Sequence, residues 1–351
     1  MKIEKIENGE PPVEPLSRKL TVAVCIGTYN QAPFLRECVE SILAQSYPVS
    51  EIWISDDAST DNTAEVLAEL GRLYPTVHCY RQPVNLGIAG NLSWVLAQPQ
   101  TDLIGRIDSD DRYEPEYIAT LVRLLAEHPQ AGYAHCDIHE INSAGERLRV
   151  RRLSRSAAYE PPDVALRRSA SGYRVAANCL LYRAQALRQA DYYHPNAGWR
   201  SAEDWDLVLR ITIHGWGNAY APQPLASYRV WDDEQQTRFR RRSGELESLI
   251  KIYRDRLEPA YLRRGWSTAP LRKYRINRAL WFVDTQSSSQ LRLEEKRQFR
   301  QRMLVLGDSF SLRFWLLMSA VGLGPLLPRY FALKFRAYDG VKSVLRRLRG
   351  R

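Results

Sequence analysis

The segment Leu20 to Ile26, LTVAVCI, is a near-continuous apolar run rich in β-branched side chains. It does not alternate apolar and polar residues, as a strand with one wet face would. A run of this kind suits a central parallel strand covered by helices on both faces. It stops abruptly at Gly27-Thr28-Tyr29-Asn30.

The next hundred residues repeat the theme. Pro33 opens a helix with Phe34, Leu35, Cys38, Val39, Ile42 and Leu43 on one face. Ile52-Trp53-Ile54 reads as a second strand and ends in Ser55-Asp56-Asp57-Ala58-Ser59-Thr60-Asp61. Val66, Leu67, Leu70 and Leu73 stripe the next helix. Val77 to Tyr80 is a short third strand, and Asn85-Leu86-Gly87 leads into a helix through Asn91 and Leu96. Leu103 to Ile107 is the fourth strand, then come a helix from about Pro115 to His128 and an extended segment from Gly132 to Ile141. Strands alternating with helices predict an α/β fold with a mostly parallel sheet. Ligands collect at the carboxyl ends of such strands.

Three polar clusters fall at those ends. The third, Asp108-Ser109-Asp110-Asp111, sets three carboxylates within four residues of a strand end. Residues two apart in a strand face the same way, so Asp108 and Asp110 can converge. Converging anions call for a cation, and Mg²⁺ or Mn²⁺ is the natural hard partner; a solvated acidic turn before the next helix is the competing reading. No G-x-G-x-x-G follows the first strand and no G-x-x-x-x-G-K-[ST] occurs, which removes the main support for dinucleotide-binding and P-loop readings.

A net charge of +10 is compatible with nucleic acid, a membrane surface or an acidic substrate, so its location decides more than its total. No recognition motif accompanies the basic regions, which argues against nucleic acid. Cys25, Cys38, Cys79, Cys136 and Cys179 form no C-x-x-C pair and read as reduced core residues of a cytoplasmic chain. Residues 1–19 read as a flexible, charged N-terminal segment. Residues 142–173, with Arg147, Arg149, Arg151, Arg152, Arg155, Arg167 and Arg168, read as a basic mobile loop.

Further on, Leu207, Val208 and Ile211 give a helical face whose first turn holds Glu203 and Asp204. These are either acids favoured by the helix dipole or a carboxylate base flanked by Trp199 and Trp205. Pro224 to Arg229 reads as a closing strand, and residues 233–351 as a helical, basic extension.

Gly27-Thr28-Tyr29-Asn30, Asp56-Asp57-Ala58-Ser59-Thr60-Asp61, Asp108-Ser109-Asp110-Asp111 and Glu203-Asp204-Trp205-Asp206-Leu207 stand in an order and spacing that resembles the family 2 glycosyltransferases. Asn85-Leu86-Gly87 and Tyr228-Arg229 also match, and the resemblance covers residues 20–232. It implies a GT-A fold and an inverting transfer of a sugar from a nucleotide-diphosphate donor, with UDP favoured, to a hydroxyl of a glycan or lipid-linked acceptor in cell-surface polysaccharide synthesis. It implies that Thr28, Tyr29, Asn30, Asp57, Asn85, Arg106, Asp108 and Glu203 serve the nucleotide sugar. Asp57 would accept a hydrogen bond from the base. Asp110, with Asp108 and with Asp111 as a competitor, would ligate Mn²⁺ or Mg²⁺. Asp204 would be the catalytic base, with Trp199 and Trp205 toward the acceptor. The chain departs from many relatives in lacking a histidine soon after Tyr228-Arg229, where it reads Val230-Trp231-Asp232. It also lacks the Q-x-x-R-W block of processive synthases, which argues for transfer of one sugar or a few. The competing classes are a non-catalytic sugar-nucleotide-binding or membrane-associated scaffold and a nucleotidyltransferase; the latter lacks its Gly-rich loop here.

Between Arg313 and Arg329 lie fifteen uncharged residues, short of the roughly 20 that span a bilayer. Residues 329–351 then hold eight Lys/Arg and one Asp, with Val341, Val344, Leu345 and Leu348 at helical spacing. Segment 312–351 therefore reads as an interfacial element on anionic lipid, at the inner face of the cytoplasmic membrane, with a helix packed on the catalytic domain as the alternative.

Overall fold

The computed structural model describes residues 19–153, 157–172, 175–195, 202–231, 234–283, 285, 292–323 and 326. The expected flexible segment 1–19 lies outside them except for Lys19, as do Trp199, Asp232 and most of segment 312–351. The chain divides into two compact units, 1–235 and 236–351.

The first unit alternates strand and helix through β1 (Val22–Thr28), α1 (Ala32–Leu43), β2 (Glu51–Asp56), α2 (Thr63–Leu73), β3 (Val77–Arg81), α3 (Gly87–Leu96) and β4 (Leu103–Asp108). It continues with β5 (Arg112–Tyr113), α4 (Tyr117–Glu127), β6 (Ala131–Ile141), β7 (Arg147–Arg151), β8 (Tyr159–Glu160), α5 (Pro162–Ser169), β9 (Leu180–Arg183), α6 (Ala184–Gln189), α7 (Glu203–Ile213) and β10 (Gly217–Arg229). The sheet order is β3-β2-β1-β4-β9-β6-β10-β5. β1, β2, β3 and β4 pair in parallel, as do β6 and β10; β9 runs antiparallel between β4 and β6.

The apolar run of β1 is buried on both faces: Val22, Ala23, Val24, Cys25 and Ile26 have no exposed surface. α1 covers one face with Leu35, Cys38, Val39 and Ile42, and its first N–H groups are orphans that a cap must satisfy. Asp61, from the loop after β2, accepts from the Ala32 N–H at 3.3 Å and so ties two strand-end loops together.

Four expectations need correction. Segment 142–173 is not a loop: its described residues include β7, β8 and α5. β7 pairs antiparallel with β6, and its arginines pair outward with acids, Arg149 with Glu140 at 2.6 Å and Arg147 with Glu114 at 2.9 Å. The period-two pattern Arg147-Leu148-Arg149-Val150-Arg151 is a charged strand, masked by its arginine content. β10 begins at Gly217, seven residues before Pro224, because a register shift between Ala221 and Pro224 carries the strand past two prolines. Cys79 lies exposed on β3, while the other four cysteines are buried. Leu73, placed in the α2 stripe, is 50% exposed.

The second unit is helical. Among its described residues, α8 (Glu234–Lys251) passes through a π-helical turn, Ile252–Leu257, into α9 (Glu258–Arg263), and α10 (Ala269–Leu280), α11 (Leu293–Gly307) and α12 (Phe310–Ala320) follow. Leu246, Tyr253 and Leu257 are fully buried, while Ile250 is only partly so. Arg275 of α10 caps the end of α11 by donating to the Leu306 and Val305 carbonyls at 2.5 and 2.9 Å. Among the described residues no helix is long and apolar enough to cross a membrane.

Candidate active site

Strand register gathers the site. Across β1, Thr28 stands beside Asp56 of β2, and Gly27 beside Asp108 of β4. Three polar strand ends therefore meet at one edge of the parallel half-sheet, where helix-covered sheets leave a crevice.

The loop after β1 turns through Asn30, whose φ of +53° lies in the left-handed region that asparagine tolerates better than most residues. Its N–H donates to Ser59 Oγ at 2.8 Å, and its Oδ1 accepts from the Thr60 and Asp61 N–H groups at 2.8 and 3.3 Å. The carboxamide oxygen of Asn30 is thus occupied in joining the loops after β1 and β2. Thr28 is buried, its hydroxyl without a hydrogen-bond partner among the described residues; Tyr29 is 47% exposed.

Asp56 and Asp57 divide their work. Asp56 is fully buried and accepts from the Ser59 N–H at 2.9 Å, which orders the loop. Asp57 Oδ1 accepts from the Leu86 N–H at 2.7 Å, and among the described residues no donor reaches Oδ2. Asn85 fastens the same corner: its Nδ2 donates to the Asp57 carbonyl at 3.1 Å and its Oδ1 accepts from the Gly87 N–H at 3.1 Å.

At the end of β4, Arg106 is only 3% exposed. Its Nη2 donates to Asp108 Oδ1 at 2.7 Å, and its Nη1 lies 3.5 Å from Asp204 Oδ1. One guanidinium therefore bridges the acidic strand end and the first turn of α7. The next two carboxylates differ. Asp111 is buried, and its Oδ1 accepts from the Arg229 N–H at 2.8 Å, anchoring β10 to the turn. Asp110 is partly exposed; its Oδ2 accepts from Trp231 Nε1 at 3.0 Å, leaving Oδ1 without a donor among the described residues.

α7 delivers Asp204 and braces it. Within the same helix, Asp206 takes Arg210 Nε at 2.7 Å, and Arg210 Nη2 donates to the Tyr192 carbonyl at 2.6 Å. That clamp holds a turn in which Asp191 and Tyr192 both have positive φ, 55° and 48°, a costly backbone for side-chain-bearing residues. The turn places Tyr193, 1% exposed, with its hydroxyl donating to Asp204 Oδ1 at 2.5 Å. Among the described residues no donor reaches Asp204 Oδ2. Glu203 is partly buried, and its Oε2 lies buried without a partner among those residues.

The charges are incompletely compensated. Burial pushes the Asp108 carboxyl up to about 6, with Arg106 pulling it down and the Asp110 and Asp204 charges raising it. Burial, with Asp108 and Asp110 adding repulsion, lifts Asp111 well above the usual carboxylate range. Burial, reinforced by Asp204, raises Glu203.

Of the sequence-predicted residues, Arg106, Asp108 and Asp204 are joined through one guanidinium, and Thr28, Asn30, Asp57 and Asn85 line the neighbouring strand ends. Trp205 is corrected: at 4% exposure its ring packs inside and offers almost no surface to a sugar. Sequence reasoning missed Tyr193 and the structural work of Arg229. That guanidinium is 3% exposed and donates to the Asp110, Asn142 and Ser143 carbonyls and to Glu37. Tyr193 carries no spacing signal; Arg229 stood in a recognised dipeptide without an assigned task.

A Mg²⁺ or Mn²⁺ ion fits this arrangement. Asp110 Oδ1 and Asp108 Oδ2 have no donor among the described residues, and both belong to a cluster short of positive charge. Among those residues no three His, Cys, Asp or Glu side chains are grouped to hold an ion unaided. One or two carboxylates completed by phosphate oxygens and water is a donor set both ions accept.

Residues 23–188 match the model of the family described as glycosyl transferase family 2. EpsE of Bacillus subtilis (strain 168), a protein to which glycosyl transfer has been attributed, is 28% identical over 233 residues, 66% of this chain and 80% of its own. TarS residues 1–349 from S. aureus, solved in complex with UDP-GlcNAc, align over 92% of both chains with a TM-score of 0.61 at 16% identity. The mannosyltransferase PcManGT from Pyrobaculum calidifontis, solved with GDP-Man and Mn²⁺, aligns over 89% of this chain and 88% of its own, with a TM-score of 0.56 at 18% identity. At those identities the two structures speak for the fold, GT-A, with a helical C-terminal region. The matched segment, just under half of the chain, is thus similar to glycosyl transferase family 2, and the fold is the one its structural neighbours share.

Proposed function

We propose that the protein moves a sugar from a nucleotide-diphosphate donor, UDP in preference, to a hydroxyl of a glycan or lipid-linked acceptor with inversion at the anomeric carbon. The carrying observation is the meeting of Asp204, Arg106 and Asp108 at the ends of β4 and α7. A carboxylate that removes a proton must be held still and keep one oxygen free. Tyr193 and Arg106 both engage Oδ1 of Asp204, which leaves Oδ2 for an incoming hydroxyl.

In this reading the acceptor oxygen attacks the anomeric carbon from the face opposite the diphosphate. Its proton passes to Asp204 Oδ2, and the electron pair of the breaking C–O bond leaves with the nucleoside diphosphate. Asp57 Oδ2 accepts an N–H from the base, which suits uracil; Thr28 and Tyr29 border the nucleotide. Asp110, helped by Asp108, would hold Mn²⁺ or Mg²⁺; Asp111 is committed to the Arg229 backbone and is the poorer ligand. The ion, when bound, offsets negative charge growing on the leaving diphosphate.

The experiment is donor binding by calorimetry with Mn²⁺ across UDP-, GDP- and dTDP-sugars, then turnover in Asp204→Asn. The expected result is one donor bound by both proteins, with turnover lost only in the variant. A fully active Asp204→Asn overturns the base assignment. A donor bound but never consumed, whatever acceptor is offered, supports a non-catalytic binding protein instead.

A further inference from the structure

α12 is two-faced in an unusual way. Leu312, Trp315, Leu316 and Ser319 are buried on its inner side. On the other side Phe310, Phe314, Leu317 and Val321 are exposed by 87%, 44%, 62% and 63%. They stand at i, i+4, i+7 and i+11; at about 100° per residue these four side chains fall within a sector of roughly 60°. Leu323 and Leu326, further along the chain, are also exposed, by 40% and 42%.

The helix is locally well fixed, so the ridge is not a frayed end. Ser309 Oγ caps it by accepting from the Leu312 N–H at 3.1 Å. Arg313 is tied back to Asp308 by two hydrogen bonds of 2.7 and 2.6 Å. A single exposed leucine needs no explanation, but four large apolar groups in line on a capped helix form a contiguous patch that water alone covers poorly.

We propose that this outer ridge of α12 docks on an anionic membrane surface, with the basic stretch after it supplying the electrostatic half of the attachment. Charge chooses this occupant: residues 329–351 carry eight Lys/Arg against one Asp, directly after the apolar face. An apolar ridge beside a polybasic segment is the pairing that holds peripheral proteins to anionic lipid, each half weak alone. A second copy of this chain would bring the same positive segment against itself. The proposal is independent of the transfer reading, since it needs neither donor nor turnover.

The test is co-sedimentation of the full chain with vesicles of phosphatidylcholine alone and of phosphatidylcholine with phosphatidylglycerol. Binding is expected to the anionic vesicles, falling steeply with salt. It should weaken at least tenfold in Phe314→Glu with Leu317→Glu, and separately in Arg346→Glu with Arg347→Glu. The ridge positions are exposed, so thermal unfolding of that variant should match the parent. Unchanged binding by the ridge variant would overturn the proposal, leaving the tail as a charge tether only. Absence of binding to either vesicle would overturn it as well. So would a lipid-free dimer that the ridge substitutions dissociate, which would make the face an interface between copies.

Discussion

Replacing Arg106 by methionine isolates the electrostatic contact that joins the end of β4 to α7. The side chain is 3% exposed and stands between Asp108 Oδ1 at 2.7 Å and Asp204 Oδ1 at 3.5 Å. Methionine fills much of the aliphatic volume but leaves two carboxylates without their shared cation. Removing one partner of a fully buried pair costs about 3–5 kcal/mol. Here the carboxylate side chains keep 35% and 24% of their exposure, so water recovers part of that loss. A net destabilisation of about 2–3 kcal/mol is expected. The assay is urea unfolding of Arg106→Met, Asp108→Asn and the double variant. Asp108→Asn removes the cation's partner in the parent protein but relieves a stranded anion in the R106M background. The double variant should therefore be more stable than the sum of the single effects by about 1 kcal/mol or more. Arg106→Lys should recover only part of the loss, because an ammonium cannot fork to both carboxylates. Strict additivity of the two single effects would refute the bridge as an energetic unit.

The remaining expectations are narrower. Tyr193→Phe removes only the hydroxyl that holds Asp204; kcat should fall about tenfold or more while donor affinity measured by calorimetry stays within about twofold, and an unchanged kcat would deny the tyrosine a positioning role. Gly217→Ala would set a Cβ 2.5 Å from the Glu160 carbonyl oxygen, a backbone atom with little freedom to yield, so unfolding should come about 1–3 kcal/mol easier; an unaltered thermal midpoint would count against the close approach of β8 and β10. Burial and the neighbouring Arg147 and Arg112 charges hold His139 below its ordinary 6.5, with Glu114 opposing them. The unfolded chain then takes up this proton first as pH falls, so stability drops from about pH 6.5 down to the lower folded value. His139→Gln should flatten that stretch of the urea-midpoint profile, and an identical profile would dismiss the effect.

The sheet was legible because burial on both faces leaves an unmistakable trace. A continuous β-branched run such as Leu20 to Ile26 has few other homes, and its abrupt polar end marks a crevice edge. β7 was illegible for the opposite reason. An edge strand with arginine at every second position resembles a disordered basic loop until Glu140 and Glu114 are seen to neutralise it. The bend in β10 was hidden because prolines ordinarily end a strand, and only the pairing with β6 shows the register shift that absorbs them.

The acidic cluster shows a deeper limit. In sequence, Asp110 and Asp111 are adjacent carboxylates, the second a competitor of the first for a metal. They separate only when a second element arrives: β10 brings the Arg229 N–H to one, and the residues just past it bring the Trp231 indole to the other. One carboxylate is thereby buried as a turn anchor, and the other keeps an oxygen clear of donors. Asp204 obeys the same logic. Its position in a first helical turn could be read from Glu203-Asp204-Trp205-Asp206-Leu207, but its orientation depends on Tyr193. That tyrosine reaches it through a left-handed turn clamped by Arg210, further along the helix that carries the acid. Local pattern proposes which residues stand at the site; which of their oxygens remain free is decided by contacts distant in the chain, and the proposed chemistry depends on those oxygens.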